Sequence, residues 1–191
     1  MSALGAGARL DVLFTGYVGD RVAGTVSLVR EGDRVIVVDP GMVPSRSAIL
    51  DPLWALGVAP EDVTDIVLSH HHPDHTVNIA LFGEVPVHDV QATYTRDVWE
   101  AREADGVLLT TSVQLLATPG HTPQDLTVLV GTPDGVTALT HLWWSAQGPA
   151  DDPYAPDRDL LRQQRERVLG LAGRIVPGHG APFEPDARTV R

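Results

Sequence analysis

The feature that most constrains this chain is a run of metal-ligating side chains placed directly after a short apolar stretch. Residues 65–68 predict a buried strand, because three of the four are Ile, Val and Leu. Side chains two apart in an extended loop point the same way, so we expect His70 and His72 to converge on one ion. Asp74 and His75 then point elsewhere, which favours a second ion beside the first. The whole run reads Ser69, His70, His71, His72, Pro73, Asp74 and His75.

The histidine run has an alternative interpretation as an expression tag or a solvated low-complexity tract. It is internal, it is interrupted by Pro73 and Asp74, and it follows a predicted strand, which argues against both. We therefore interpret it as a metal-binding loop whose ligands suit zinc and similar divalent ions. The chain contains no cysteine, so the site must be built from histidine and carboxylate. His71 faces away by the same alternation, and we expect a structural role for it.

Length and composition indicate one globular domain. At 191 residues the chain suits a single domain, 1–191, with a sizeable core. Its hydrophobic content of 43% and charged content of 20% are ordinary for a soluble protein. No apolar run approaches the roughly 18 residues of a membrane span, and residues 1–9 lack the basic start and apolar core of a signal peptide. We expect a cytoplasmic protein whose ends, residues 1–9 and 184–191, are loose.

The charge of the chain bears on its partners. The formal net charge of -11 opposes approach to a nucleic-acid backbone, which is bound through Lys and Arg. Nucleic acid is therefore disfavoured, although a local basic patch stays open as an alternative. We expect a small-molecule substrate and no membrane partner, and the sequence leaves the oligomeric state open.

The apolar pattern predicts two groups of strands, each followed by a helix. Helices are predicted over 46–56, with Ser45 as its N-cap, and over 158–171, with Asp157 as its N-cap. A short helix is predicted over 77–82, and residues 89–106 read as either a loop or a helix over the site. This pattern suits two packed sheets with helices outside, and metals at one edge where strand ends meet. The predicted strands are 10–14, 24–29, 34–38, 65–68, 85–88, 107–109, 113–117, 126–130, 136–140 and 174–176.

A second ligand station follows the predicted strand 113–117. Pro119 and Gly120 make a tight turn that projects His121 from the strand end. His121 would complete a three-histidine site with His70 and His72. Three protein nitrogens leave a fourth position for water, which is the arrangement of a catalytic zinc.

These motifs resemble those of a known family. The H-x-H-x-D-H pattern, with Val37–Gly41 before it and Thr118–Thr122 and Val176–Gly180 after it, resembles the signature of the metallo-β-lactamase-fold hydrolases. Within that superfamily the stretches around the histidines look most similar to the metallo-β-lactamase domain-containing protein 1 group. The resemblance implies an α/β fold, a four-layer αββα sandwich in a single domain. It also implies one or two zinc ions, with manganese or iron as alternatives.

The resemblance assigns further roles to residues of this chain. It implies that Asp39 accepts a hydrogen bond from a ligand histidine, and that Ser69 also supports the ligands from outside. It implies that His179 joins Asp74 and His75 at the second metal.

The chain departs from the family pattern at His141. Dinuclear members carry there an Asp whose carboxylate bridges both ions, whereas a neutral imidazole has one lone pair and cannot bridge. We expect His141 to bind one ion, the second, and that ion to be weakly held or absent. The alternative, that His141 only packs beside the ions, stays open.

Two tryptophans follow His141 directly. Adjacent residues on a strand face opposite ways, so at most one of Trp143 and Trp144 is expected to wall the site. Both are substrate-wall candidates, and core packing of both is the alternative.

The first functional hypothesis is a metal-dependent hydrolase that activates water for attack on a small ester, thioester or lactone. Asp74 would be its catalytic residue, orienting the water or receiving its proton. A second hypothesis is a phosphodiesterase or endoribonuclease, because the resembled group includes an RNA endonuclease. A third is a non-catalytic metal or redox sensor.

Overall fold

A computed structural model describes residues 4–191 of the chain, which form two β-sheets with helices outside them. The first sheet has the order β1 (Arg9–Phe14), β4 (Val26–Glu31), β5 (Arg34–Val38), β6 (Asp65–Val67), β7 (Val87–His88), β8 (Ala92–Thr95) and β9 (Val98–Ala101). The second sheet has the order β10 (Val113–Ala117), β11 (Leu126–Thr132), β12 (Gly135–Thr140) and β13 (Arg174–Pro177). A small hairpin consists of β2 (Tyr17–Val18) and β3 (Val22–Ala23).

Two parallel strand pairs decide where the polar motifs meet. Strands β5 and β6 pair in parallel in the first sheet, as do β12 and β13 in the second. Parallel neighbours end at the same edge of a sheet. The segment at Asp39 therefore lies beside the histidine run, and His141 lies beside the segment that carries His179.

Four layers stack in the order helix, sheet, sheet, helix, with an apolar cluster at each of the three interfaces. Helix α1 (Ser47–Ala55) buries Ile49 and Leu53 against the outer face of the first sheet. Helix α3 (Arg158–Leu169) buries Leu161 and Val168 against the second sheet. A third cluster fills the space between the sheets with Val and Leu side chains from both. The fold is therefore the predicted four-layer αββα sandwich in a single domain.

The helix ends differ in how well the sequence predicts them. Asp157 caps α3 as predicted, because its carboxylate accepts hydrogen bonds from the backbone N–H groups of residues 159 and 160. The predicted cap of α1 is wrong: Arg46 occupies that position, and the Ser45 hydroxyl pairs with that of Ser47. A third helix, α2 (Pro73–Thr76), is a single turn within the metal-loop motif, and the predicted helix over 77–82 is reduced to a 3-10 turn at Ile79–Phe82.

The polar segment 89–106 is neither a loop nor a helix over the site. It forms the hairpin of β8 and β9, closed by a tight turn in which Arg96 has a φ of 56°. Strand β9 is the exposed edge of its sheet, so its side chains need no apolar alternation, and this explains the missing strand signal. The predicted strand 107–109 is also wrong, since Leu108 makes only an isolated bridge to Gln114.

Glu31 connects the two sheets. Its carboxylate accepts hydrogen bonds from the hydroxyls of Thr110, Thr111 and Ser112. It also accepts a bond from the backbone N–H of Ser112. Burial acts to raise the pKa of Glu31, but these donors stabilise the charged form and lower the pKa to about 2.

The two ends of the chain have specific contacts. Residues 1–3 of the predicted loose start lie outside the described residues, and the N–H of the buried Ala8 donates to the carbonyl of Gly131. Near the other end, Trp143 Nε1 donates to the carbonyl of Val190 at 2.8 Å, although residues 184–191 contain no helix or strand. No helix within residues 4–191 has the length and apolar character needed to span a bilayer.

Candidate metal centre

Histidines from four segments meet at the edge where the strands of both sheets end. The ring centroids of His70 lie 4.6 Å from His72, 5.1 Å from His121 and 4.5 Å from His141. His179 lies 4.9 Å from His141 and 5.3 Å from His75, measured in the same way. Side chains far apart in the sequence thus form one continuous cluster.

The cluster contains three overlapping groups of three side chains. Within each group, one potential ligand atom of each residue lies within 4.8 Å of those of the other two. The first outer group, which the sequence predicts for a first ion, consists of His70, His72 and His121. The second outer group, which the resemblance implies, consists of Asp74, His75 and His179. The central group, which was not predicted, consists of His70, His75 and His141.

Fixed hydrogen bonds orient the buried ligands. Ser69 Oγ lies 3.0 Å from His70 Nδ1, and Asp39 Oδ2 lies 2.9 Å from His75 Nδ1. The other oxygen of Asp39 accepts a hydrogen bond from the backbone N–H of Ser69 at 2.7 Å. One carboxylate therefore contacts both the start of the metal loop, at Ser69, and its last histidine, His75. Such partners fix the ring orientation of a metal-ligating histidine and leave its other nitrogen free. Asp39 and Ser69 thus contact candidate ligands from outside the cluster, and their supporting roles stay a prediction.

Asp39 adopts an uncommon backbone conformation to do this. Its φ is 53°, in the left-handed region that non-glycine residues rarely occupy. A residue held there costs on the order of 1–3 kcal/mol, which surrounding contacts must offset. The two hydrogen bonds from Ser69 and His75 supply such contacts.

A second supporting carboxylate, that of Asp152, orients His121. Asp152 Oδ2 lies 2.7 Å from His121 Nδ1 and also accepts the indole N–H of Trp144 at 2.9 Å. The Asp152 side chain is fully buried. One oxygen thus orients both a candidate ligand and the tryptophan beside it.

The backbone carbonyl of Ala23 orients His179 in the second outer group. His179 Nδ1 donates to the carbonyl of Ala23 at 3.0 Å, which leaves Nε2 directed into the cluster. Asp74 Oδ2 lies 3.4 Å from His75 Nε2 and 3.5 Å from His179 Nε2. These three atoms converge as ligands of one ion would.

Protonation states favour cation binding. Burial lowers the pKa of four imidazoles below 6.5, those of His70, His72, His141 and His179. Neutral imidazole is the form that binds a metal. His75 differs: burial acts to lower its pKa, but the carboxylates of Asp39 and Asp74 raise it to about 9. Burial acts to raise the pKa of Asp74, but the adjacent His75 lowers it to about 2, so Asp74 is ionised.

The side chains present fit a divalent ion. His70 Nε2 and His75 Nε2 are buried without a hydrogen-bond partner. Buried polar atoms are seldom left unsatisfied, because the loss of solvation costs about 1–3 kcal/mol each. A bound cation, which releases the proton of His75 as it binds, would engage both nitrogens. This makes the cluster a candidate metal centre on grounds independent of its sequence motifs.

Two glycines allow the segments to approach. A Cβ at Gly41 would lie 1.7 Å from the carbonyl oxygen of Asp74, and a Cβ at Gly178 would lie 2.3 Å from His141 Cδ2. Both distances are far below van der Waals contact. Glycine at these two positions is therefore required for the metal loop and for His141 to sit where they do.

An open cleft of about 430 Å³ gives access to the cluster. Trp144 and Tyr154 form one wall with their rings 6.0 Å apart and 28° from parallel. Val18 and Val22 of the β2–β3 hairpin contribute apolar surface. The histidines that line the cleft are His72, His121, His141 and His179.

Comparison with known proteins identifies the family. A model of the metallo-beta-lactamase superfamily matches residues 19–181, which is most of the chain. The chain belongs to the metallo-β-lactamase superfamily. This confirms the resemblance seen in the sequence motifs.

Two of the relatives that the chain resembles carry the same name. The chain is 39% identical over 166 residues to "Metallo-beta-lactamase domain-containing protein 1" of Mus musculus, with 82% of this chain and 63% of that protein covered. It is 31% identical over 198 residues to the protein of that name from Xenopus laevis, covering 94% of this chain and 82% of the relative. The chain thus spans less than two thirds of the length of the mouse relative.

Solved structures of the superfamily share the fold. A "putative metallo-beta-lactamase" from Thermotoga maritima superposes with a TM-score of 0.74 at 21% identity, covering 94% of this chain and all of that one. A structure named as a "dizinc quorum-quenching lactonase" has a TM-score of 0.64 at 18% identity, covering 87% of this chain and 77% of that one. A structure described as a "di-iron-bound form" has a TM-score of 0.68 at 23% identity, covering 92% and 98%. The names of these last two structures thus mention zinc in one and iron in the other.

Within this metallo-β-lactamase fold the side chains of Trp143 and Trp144 face opposite ways, as the alternation along a strand predicts. Trp144 walls the cleft, whereas Trp143 is fully buried in the core and is wrong as a substrate-wall candidate. His71 points away from the cluster, with Nε2 3.1 Å from Asp89 Oδ2.

Sequence reasoning missed Asp152 and Tyr154. Both lie in the Pro-rich loop 148–156, where aspartate ordinarily signals a turn. Nothing local in the sequence connects Asp152 with His121, which lies 31 residues earlier. The pairing depends on the path of the loop after β12, so only the folded chain reveals it.

Proposed function

We propose that this chain is a zinc-dependent hydrolase that cleaves small ester, thioester or lactone substrates. The observation that carries the proposal is the group of His70, His72 and His121 at the base of a solvent-accessible cleft. His70, His72 and His121 would hold a zinc ion, which would supply Lewis-acid activation of water near neutral pH. The chain's own residues then supply position, charge and shape.

Asp74 is the candidate catalytic residue. It is ionised, and its side chain is 14% exposed at the cleft, so its carboxylate can accept a hydrogen bond from water there. A carboxylate beside the attacking water orients it by accepting a hydrogen bond. His72 lines the same cleft, so this candidate ligand and the Asp74 carboxylate both face the substrate.

The wall of the cleft supports an apolar acyl group. Trp144 and Tyr154 present aromatic surface, and the exposed Val18 adds aliphatic surface from the β2–β3 hairpin. Few polar groups besides the histidines and Asp74 line the cleft. A small acyl compound, with its carbonyl at the cluster and its chain along Trp144, fits these surfaces.

The endoribonuclease alternative finds less support. Among residues 4–191, no Arg lines the cleft, and the net charge is -11. A phosphodiester backbone needs cationic side chains around the reacting phosphate, beyond the metal itself. The nuclease and sensor hypotheses are kept as outcomes of the test below. The cytoplasmic location stays a prediction.

The test is a substrate panel on purified protein of measured metal content. Hydrolysis of an ester, a thioester, a lactone and bis(p-nitrophenyl) phosphate is compared with metal loaded and after removal by chelator. We expect metal-dependent turnover of one or more acyl substrates, abolished by His72→Asn and retained by His71→Asn. His71 is the matched control because its side chain is 45% exposed and bonded to Asp89.

The other outcomes separate the alternatives. Turnover of the phosphodiester alone would favour the nuclease, and tight metal binding without turnover of any substrate would favour the sensor. Failure of the purified chain to bind any divalent metal would overturn the proposal entirely.

A further inference from the structure

The central histidine group shares one ligand with each of the two outer groups. The groups overlap: His70 belongs to the first outer group and to the central one, and His75 belongs to the second outer group and to the central one. His141 belongs to the central group alone. The three groups therefore cannot be treated as three independent sites.

The shared histidines each have one nitrogen to give. His70 Nδ1 is engaged with Ser69 Oγ and His75 Nδ1 with Asp39 Oδ2, so only the Nε2 atoms face the cluster. A neutral imidazole nitrogen carries a single lone pair and binds one ion at a time. An ion in the centre consequently removes a ligand from both outer groups.

The central group has the marks of a binding position in its own right. Of the imidazole nitrogens in residues 4–191, three are buried without a hydrogen-bond partner, and they belong to its three members: His70 Nε2, His75 Nε2 and His141 Nδ1. His70 and His75 are fully buried and His141 is 2% exposed. Three unpartnered nitrogens enclosed in this way form a preorganised site for an ion that accepts nitrogen ligands, such as zinc, cobalt or nickel.

Electrostatic repulsion between two bound ions also favours a single ion in the central group. The seven side chains of the cluster bring a single carboxylate, that of Asp74, against two dications if both outer groups are filled. Two such charges a few ångströms apart in a buried site repel strongly unless anions intervene. One dication held by three imidazoles avoids the repulsion between two such charges.

We propose that the metal centre has two exclusive states, one ion in the central group at low metal concentration and two ions in the outer groups at high concentration. His141 is the residue that creates the first state. Filling the second state requires the first ion to leave the centre, because His70 and His75 must turn their lone pairs to the outer positions. This inference rests on the proposed metal centre but not on hydrolysis.

The test removes one ligand from each outer group and leaves the centre intact. The double variant His72→Ala with Asp74→Ala keeps His70, His75 and His141. After loading with zinc and dialysis, we expect it to retain one zinc per chain by elemental analysis. Adding His141→Ala to the double variant is expected to abolish that retention, whereas adding His71→Ala is expected to leave it unchanged.

A second measurement uses the unaltered chain, so that it does not depend on how the variants fold. Metal-free protein is titrated with cobalt, whose visible absorption reports its ligands. We expect the spectrum of the first equivalent to be replaced as the second binds, because the first ion changes ligands. Two spectra that simply add would overturn the inference, as would a folded double variant that holds no zinc.

These results also separate this inference from the proposed function. A wild-type chain that binds no metal removes both. A wild-type chain that binds two ions additively and hydrolyses acyl substrates removes only the two-state centre.

Discussion

The carboxylate of Asp152 should control metal affinity although it touches no metal. In Asp152→Asn the side chain keeps its size, but the anion that accepts from both His121 Nδ1 and Trp144 Nε1 is lost. The His121 ring is then free to rotate or to change tautomer, and its Nε2 becomes a weaker ligand. The variant is therefore expected to bind zinc more weakly while keeping its fold.

The size of the effect follows from the surroundings of Asp152. Loss of a partner behind a metal-ligating histidine costs about 10–100-fold in affinity, or about 1.4–2.8 kcal/mol. The Asp152 side chain is fully buried and the His121 side chain is 2% exposed, so solvent does not screen their interaction. We expect the upper half of that range, about 30–100-fold.

Zinc affinity is measured by competition with a chromophoric chelator at fixed pH. Asp151→Asn is the matched control, since Asp151 is 73% exposed and makes only a surface ion pair with Arg158. That variant is expected to change affinity less than about twofold. An Asp152→Asn protein that folds and binds zinc like the control would refute the reasoning.

Three further changes have defined outcomes. Glu31→Gln should lower the free energy of unfolding by about 1 kcal/mol at pH 7. The native pKa of about 2 lies below the ordinary 4.5, so this difference is present above pH 4.5 and is lost as pH falls towards 2. Denaturant titrations across that range compare the free energy of unfolding of Glu31→Gln with that of the wild type, and the exposed Glu84→Gln is the control. A difference that does not change with pH would contradict the role of Glu31 between the sheets. Gly178→Ala should abolish zinc retention, because its Cβ would overlap His141, while Gly173→Ala has open space and should retain zinc; equal retention contradicts the packing. Trp144→Ala should raise KM for long acyl substrates about tenfold, a loss of about 1.4 kcal/mol of apolar contact, and leave acetyl substrates unaffected. The exposed Trp99→Ala is its control, and an equal effect on both chain lengths would argue against the wall.

The sequence was informative where one local pattern determined one local structure. A short apolar strand followed by alternating ligands predicts the metal loop, since direction along an extended chain fixes which side chains share a side. The same holds for Pro119 and Gly120, whose tight turn projects His121. The αββα layers followed from the apolar periodicity together with the family resemblance.

The sequence was uninformative where a role depends on distant neighbours. Asp152 has the local signature of a turn residue, and only the path of its loop brings it to His121. Strand β9 lies at an exposed sheet edge, so selection for burial leaves no alternation in residues 98–101. The contact between Gly178 and the His141 ring likewise depends on the parallel pairing of β12 with β13.

His141 illustrates both situations. Its place at a family ligand position was visible in the motif, and its lone pair could be counted from chemistry alone. Only the fold shows that its free Nδ1 is buried together with the free Nε2 atoms of His70 and His75.

The most direct test of the account is diffraction at the zinc absorption edge from crystals of the zinc-loaded protein. His70 belongs to the central group and to the first outer group, so either state places zinc on it. We expect an anomalous peak about 2.0–2.1 Å from His70 Nε2. Anomalous peaks confined to surface carboxylates, with none among the histidines of the cluster, would contradict it.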